Sequence, residues 1–140
     1  MTDQAHGAVR RERPRSPHMT IYSPPVTMVT SITHRITGIG LAAGTLLIAW
    51  WLVSIASGPD FYGPFQAFVG SIFGQLILFG FTWALAYHFC NGIRHLAWDL
   101  GYGFDIRTAH ATGLLVFGLS IVIALGIFAW LYLAKGMMPV

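Results

Sequence analysis

Charged side chains are missing from three long stretches of this chain. No Asp, Glu, Lys or Arg occurs between Arg35 and Asp60, between Asp60 and Arg94, or between Arg107 and Lys135. A helix needs about 20 apolar residues to cross roughly 30 Å of hydrocarbon, because each residue rises about 1.5 Å. All three gaps are long enough. Lipid offers no partner for a free backbone N–H or C=O, so the segments must be helices. The sequence predicts an all-α integral membrane protein of one domain, residues 1–140. A polar segment covers about 1–30, and spans cover about 31–55, 65–93 and 109–133. The composition agrees. Of the 140 residues, 55% are hydrophobic and 9% charged, whereas soluble domains are about a quarter charged.

The breaks between spans carry turn chemistry. Ser57-Gly-Pro-Asp60 closes the first span, and Asp99, Gly101, Gly103 and Asp105 mark the second loop. Gly40 and Gly44 form a small-xxx-small pair suited to close helix packing. Pro25 suits a first helical turn, where its missing N–H costs nothing. Four of the eight basic residues (Arg10, Arg11, Arg13 and Arg15) precede the spans, Arg94 and Arg107 flank the second loop, and the first loop has none. The positive-inside rule places the N-terminus and second loop in the cytoplasm (or matrix) and makes a nucleic-acid role unnecessary. Trp50, Trp51, Trp98 and Trp130 fall toward span ends, as an aromatic belt does. The polar leader before the first apolar run argues against a secretory signal, and its shortness and acidic residues argue for a bacterial over a mitochondrial source. The single cysteine, Cys90, excludes a disulfide within the chain.

Ionisable groups inside lipid are costly and ask for a reason. His88 lies within the second span. It bonds to a neighbouring helix or ligates a metal or haem, since neutral imidazole serves as a haem ligand. At about 100° per residue, His88, Gly92, His95 and Asp99 fall within about 60° of one another. Gly92 leaves room for a flat macrocycle beside His88, and His95 and Asp99 carry the stripe to the interface. Ser31 and Arg35 share a face of the first span, with His34 beside them. Arg35 and Ser31 offer donors suited to a haem propionate or a quinone carbonyl. The alternative is that Arg35 only anchors the helix at the interface. Both groups belong to the same half of the membrane. Six-coordinate haem with two histidines needs imidazoles on opposite ring faces. His95 shares a face with His88, and His34 lies near a span start, so the chemistry predicts one haem shared with another chain.

Three segments carry a resemblance. Arg13-Pro-Arg-Ser-Pro-His-Met-Thr-Ile-Tyr22, Ser31-Ile-Thr-His-Arg-Ile-Thr-Gly38 and His88-Phe-Cys-Asn-Gly-Ile-Arg-His-Leu-Ala-Trp-Asp-Leu-Gly101 resemble, in order, the signatures of the cytochrome b (larger membrane-anchor) subunit of succinate dehydrogenase, respiratory complex II. The resemblance implies a helical bundle packed with a smaller partner anchor around haem b. It implies that His88 is one axial ligand and the partner supplies the other. It implies that Ser31 and Arg35 line a ubiquinone-reduction site beside an iron–sulfur subunit, with a flavoprotein subunit oxidising succinate. His34 is implied near the haem propionates, and His95 and Asp99 near the haem and quinone region. The expected location is the bacterial inner membrane, or the mitochondrial inner membrane. Alternatives are an anchor of a quinol:fumarate reductase, a haem-free anchor, and a small transporter relaying protons through His34, His95 and Asp99. Three spans without a midplane charge give the last no continuous pathway.

Overall fold

The computed structural model describes residues 21–135, so the basic N-terminal cluster, His6, His18 and most of the first resembling segment lie outside the described residues. Among the described residues four helices follow in order: α1 (Val26–Ala56), α2 (Pro59–Gly70), α3 (Ile72–Asp99) and α4 (Ile106–Lys135). Among the described residues there is no strand. Helices α1, α3 and α4 are each long and apolar enough to cross a membrane.

The first span begins earlier than the hydropathy suggests. Pro25 sits in extended conformation just outside α1 and gives its carbonyl to Met28 and Val29 N–H. The region read as one span over 65–93 is divided. Residues 65–70 belong to the short α2, and α3 runs on to Asp99. Ser71 makes the break. Its backbone is extended, its hydroxyl accepts from Gly74 N–H at 3.0 Å, and the same hydroxyl donates to Phe68 carbonyl at 2.6 Å. Apolarity does not distinguish a span from an apolar helix lying across its end, so hydropathy merged the two. Trp50 meets the rings of Phe65 and Phe68 on α2 at 5.1 and 5.3 Å, tying the elbow back to α1.

Helix α3 ends in a loop built for reversal. Gly101 adopts φ +87°, a left-handed conformation that favours glycine. Tyr102 N–H then reaches Ala97 carbonyl and Gly101 N–H reaches Trp98 carbonyl, which satisfies carbonyls left free at the helix end. Asp105 caps α4 by accepting from the N–H groups of Arg107 and Thr108.

Helix α3 is central and touches the other three. Its contacts are of two kinds. Apolar packing joins α3 to α4 through Tyr87, Cys90 and Val116, with Trp83, Phe117 and Ile123 around them. Polar contacts join all three spans. Arg94 was expected to flank the second loop as an orienting charge, but it lies in α3 and is 7% exposed. Its guanidinium donates to Thr30 Oγ1 on α1 at 3.3 Å, to Thr112 Oγ1 on α4 at 3.1 Å and to Ala109 carbonyl at 2.8 Å. It also donates to Asn91 Oδ1 at 3.4 Å and lies 4.1 Å from the Trp98 ring centre. Tyr87 hydroxyl donates to Thr30 carbonyl at 2.8 Å. A side chain at Gly113 would collide with Val26 and crowd Thr30, so this glycine lets α4 close on α1. At the other end of the bundle, Tyr132 hydroxyl donates to Gln75.

Arg94→Leu removes four hydrogen bonds and takes from the buried Asn91 Oδ1 its donor among the described residues. Orphaned buried acceptors cost about 1–3 kcal/mol each. Thermal denaturation of the purified protein in mild detergent is expected to fall for Arg94→Leu. Arg94→Lys is expected not to restore it, because an ammonium cannot present a planar fork to both neighbouring helices. A leucine variant as stable as the parent sinks this reading.

Candidate functional site

The expected polar groups of α1 and α3 meet. Because the two helices run antiparallel, the beginning of α1 lies against the end of α3. The rings of His34 and His88 stack with centroids 3.6 Å apart and planes within 14°. His95 lies 5.6 Å from His34, tilted by 51°. Three histidines predicted from two distant motifs therefore form one cluster.

His88 is held on two sides by α1. Its Nδ1 lies 3.1 Å from Thr37 Oγ1. Its Cε1 edge faces Gly38, where an added Cβ would lie only 3.2 Å away. Beyond His88 on the same stripe, Gly92 opens onto free space within 4 Å. His34 is half-buried, and its Nδ1 is fully buried with no hydrogen-bond partner among the described residues. An orphaned buried nitrogen is uncommon in a finished structure and calls for a partner.

The outer members of the site are less engaged. Ser31 and Arg35 are both exposed, one turn apart on α1, and neither side chain is hydrogen-bonded among the described residues. His95 and Asp99 are exposed on the last turns of α3. Asp99 sits at the negative end of the helix dipole, which disfavours an anion by a few tenths of a kcal/mol or more, so helix capping does not account for it. The structure does not bring Arg35 and Asp99 into an ion pair. The close pair Gly40 and Gly44 is half used. The Phe81 ring fills the space above Gly44, whereas nothing approaches Gly40.

Thr37, Gly38, Tyr87 and Asn91 were not singled out from the sequence. Thr37 and Gly38 lie in the first-helix motif, but a threonine in an apolar helix usually bonds to its own backbone. Only the register of α1 against α3 shows that it faces His88. Tyr87 and Asn91 belong with Arg94 to a second stripe of α3, about 100° round from the histidine stripe.

The comparisons with known proteins agree with the resemblance. The family model for the succinate dehydrogenase/fumarate reductase transmembrane subunit matches residues 9–127. The chain belongs to that family. The succinate dehydrogenase cytochrome b556 subunit of Paracoccus denitrificans is 44% identical over 115 residues, covering 82% of this chain and 88% of that protein. The cytochrome b556 subunit of Rickettsia typhi is 38% identical over 117 residues, covering 84% and 91%. The human mitochondrial cytochrome b560 subunit is 38% identical over 122 residues, covering 84% and 70%. The family match takes in all of α1, α2 and α3 and most of α4, so it includes both histidine-bearing motifs.

The contact at Gly38 is tight enough to test. Gly38→Ala forces the His88 ring to yield by a few tenths of an ångström. Gly38→Val adds methyls with no space, and overpacking of this kind costs about 1–3 kcal/mol. The thermal midpoint of the purified protein is expected to fall from glycine to alanine to valine. Equal midpoints for all three rule out the close approach of α1 and His88.

Proposed function

We propose that the chain is the larger membrane-anchor subunit of a succinate:quinone oxidoreductase. In this reading His88 is an axial ligand of haem b, and Ser31 and Arg35 line the ubiquinone-reduction site. The observation that carries it is the setting of His88. One ring nitrogen is engaged by Thr37 and the other has no hydrogen bond among the described residues; Gly38 and the stacked His34 ring hold the imidazole close to α1, and open space lies one turn on at Gly92. A haem-binding imidazole needs one free lone pair and a flat space beside it. The residues present fit the group. The relatives' names support haem, since they are called cytochrome b556 and b560 subunits of succinate dehydrogenase. That naming also favours succinate oxidation over fumarate reduction as the direction.

Bound haem would supply a one-electron redox centre, held by His88 of this chain and by a residue of a smaller partner anchor. The remaining chemistry belongs to this chain's residues and its partners. A flavoprotein subunit oxidises succinate, and an iron–sulfur subunit delivers the electrons to the membrane. Quinone reduction consumes two electrons and two protons, and negative charge builds on a ring oxygen before the proton arrives. The Arg35 guanidinium, exposed on α1 and unbonded among the described residues, stabilises that charge once the assembled complex holds it in place. The Ser31 hydroxyl, one turn earlier, donates to a quinone carbonyl and can pass on a proton. His95 and Asp99 lie at the same end of the bundle, in the haem and quinone region. The N-terminus faces the cytoplasm of a bacterial inner membrane, which puts Ser31 and Arg35 on the side where the iron–sulfur subunit docks.

His88→Leu in the assembled complex is expected to abolish or strongly disturb the haem b absorption band. An unchanged spectrum removes His88 as ligand. Ser31→Ala and Arg35→Leu are expected to slow quinone reduction about 10²–10³-fold, the loss typical when a preorganised donor is removed. Succinate oxidation by an artificial acceptor should persist. If both activities fall together, the defect lies in assembly and the quinone assignment fails.

A further inference from the structure

We infer that Thr37 is a positioning residue for haem ligation. Its hydroxyl accepts the His88 Nδ1–H and so fixes the tautomer that leaves Nε2 free for iron. The inference rests on the assignment of His88 as a ligand and adds which nitrogen binds and what holds it.

The argument is a count of protons. A threonine hydroxyl has one hydrogen and two acceptor lone pairs. Thr37 Oγ1 donates to Thr33 carbonyl at 2.8 Å, with His34 carbonyl a second acceptor at 3.1 Å. This back-bonding to the preceding turn is the usual arrangement for threonine in a helix. His88 Nδ1 lies 3.1 Å from the same oxygen, a distance that fits either direction of donation; the two backbone carbonyls already in reach of the hydroxyl proton favour the hydroxyl as acceptor. Nδ1 therefore carries the hydrogen. Neutral imidazole holds one N–H, so Nε2 has the free lone pair.

Burial strengthens the contact. Thr37 is 5% exposed, and its neighbour Gly38 lets the His88 ring approach α1 closely. Little water can compete for the hydroxyl, and the ring cannot turn over without losing its only hydrogen bond. A bonded Nδ1–H also makes the ring a better electron donor through Nε2, as partners of metal-bound histidines generally do. Stronger donation favours ferric over ferrous iron. The hydroxyl at position 37 thus holds the haem potential below the value it would otherwise take.

The test compares Thr37→Val, which keeps the side-chain shape without the oxygen, with Thr37→Ser, which keeps the oxygen. Both are made in the assembled complex. Haem content, the haem midpoint potential from redox titration, and the EPR g values of the ferric haem are measured. Thr37→Val is expected to retain haem but shift the potential upward and move the g values. Thr37→Ser is expected to match the parent. If valine leaves potential and g values unchanged, the inference is overturned while His88 stands as a ligand. If serine shifts them as valine does, the effect is one of packing and the inference also falls. Where valine loses haem altogether, a serine variant with the parent's haem and potential supports the inference, and a serine variant that also loses haem overturns it. Haem retained with an unchanged spectrum in His88→Leu overturns the ligand assignment and the inference together.

Discussion

Apolar surface does not drive helices together in a bilayer, because lipid tails are as apolar as leucine. Association there depends on close packing and on hydrogen bonds between helices. Among the described residues most of the interhelical hydrogen bonds lie at one end. Thr30 is the meeting point: its carbonyl takes the Tyr87 hydroxyl and its own hydroxyl takes Arg94. Arg94 then reaches α4 through Thr112 and Ala109. No carboxylate among the described residues pairs with this guanidinium, so hydroxyl and carbonyl dipoles carry its charge, with the Trp98 ring on one face. A buried cation held only by dipoles is sensitive to their geometry, which makes the three helix starts and ends mutually dependent.

The histidine site is a consequence of that clasp. Tyr87 and His88 are adjacent, so they point about 100° apart around α3. Fixing Tyr87 on Thr30 turns His88 toward the next turns of α1, where Thr37 and Gly38 receive it. Helix α3 therefore has two polar faces. Tyr87, Asn91, Arg94 and Trp98 form the face that holds the bundle together. His88, Gly92, His95 and Asp99 form the face left for chemistry. Locking the first face sets the rotation of the second.

This division explains what the sequence made legible. Gaps between charges located three spans, since exclusion of charge from lipid is a strong and non-local rule. The Ser57–Asp60 break was readable as turn chemistry. The Gly70–Ser71 elbow was not, because both sides of it are apolar and only backbone geometry separates them. His34, His88 and His95 stood out as costly residues in lipid, and the structure gathers them. Arg94 was misjudged because a lone arginine near a span end usually reaches for the interface. Only the Thr30 and Thr112 hydroxyls, which lie far apart in sequence from each other, reveal that it turns inward. Thr37 was hidden for a related reason: hydroxyls are common in membrane helices, and spacing within one helix does not say which face meets another.

Helix α1 is the least covered of the three spans among the described residues. In the most hydropathic window of α1 only 6% of residues are buried, against 22% in α3 and 17% in α4. Ile36, Ile39 and Leu46 stand well exposed along α1, and Gly40 has open space where a side chain would be. Lipid covers apolar residues at no cost, so these alone imply nothing. The polar residues on the same helix are different. Ser31 and Arg35 are exposed and offer donors that nothing among the described residues takes up. A polar group inside or beside lipid is tolerated where a partner, ligand or water-filled space receives it. The chain's own third span cannot do so, because α4 lies on the Arg94 side of α3. Among the described residues the three spans leave these donors open, on the face of α1 turned away from the Arg94 clasp.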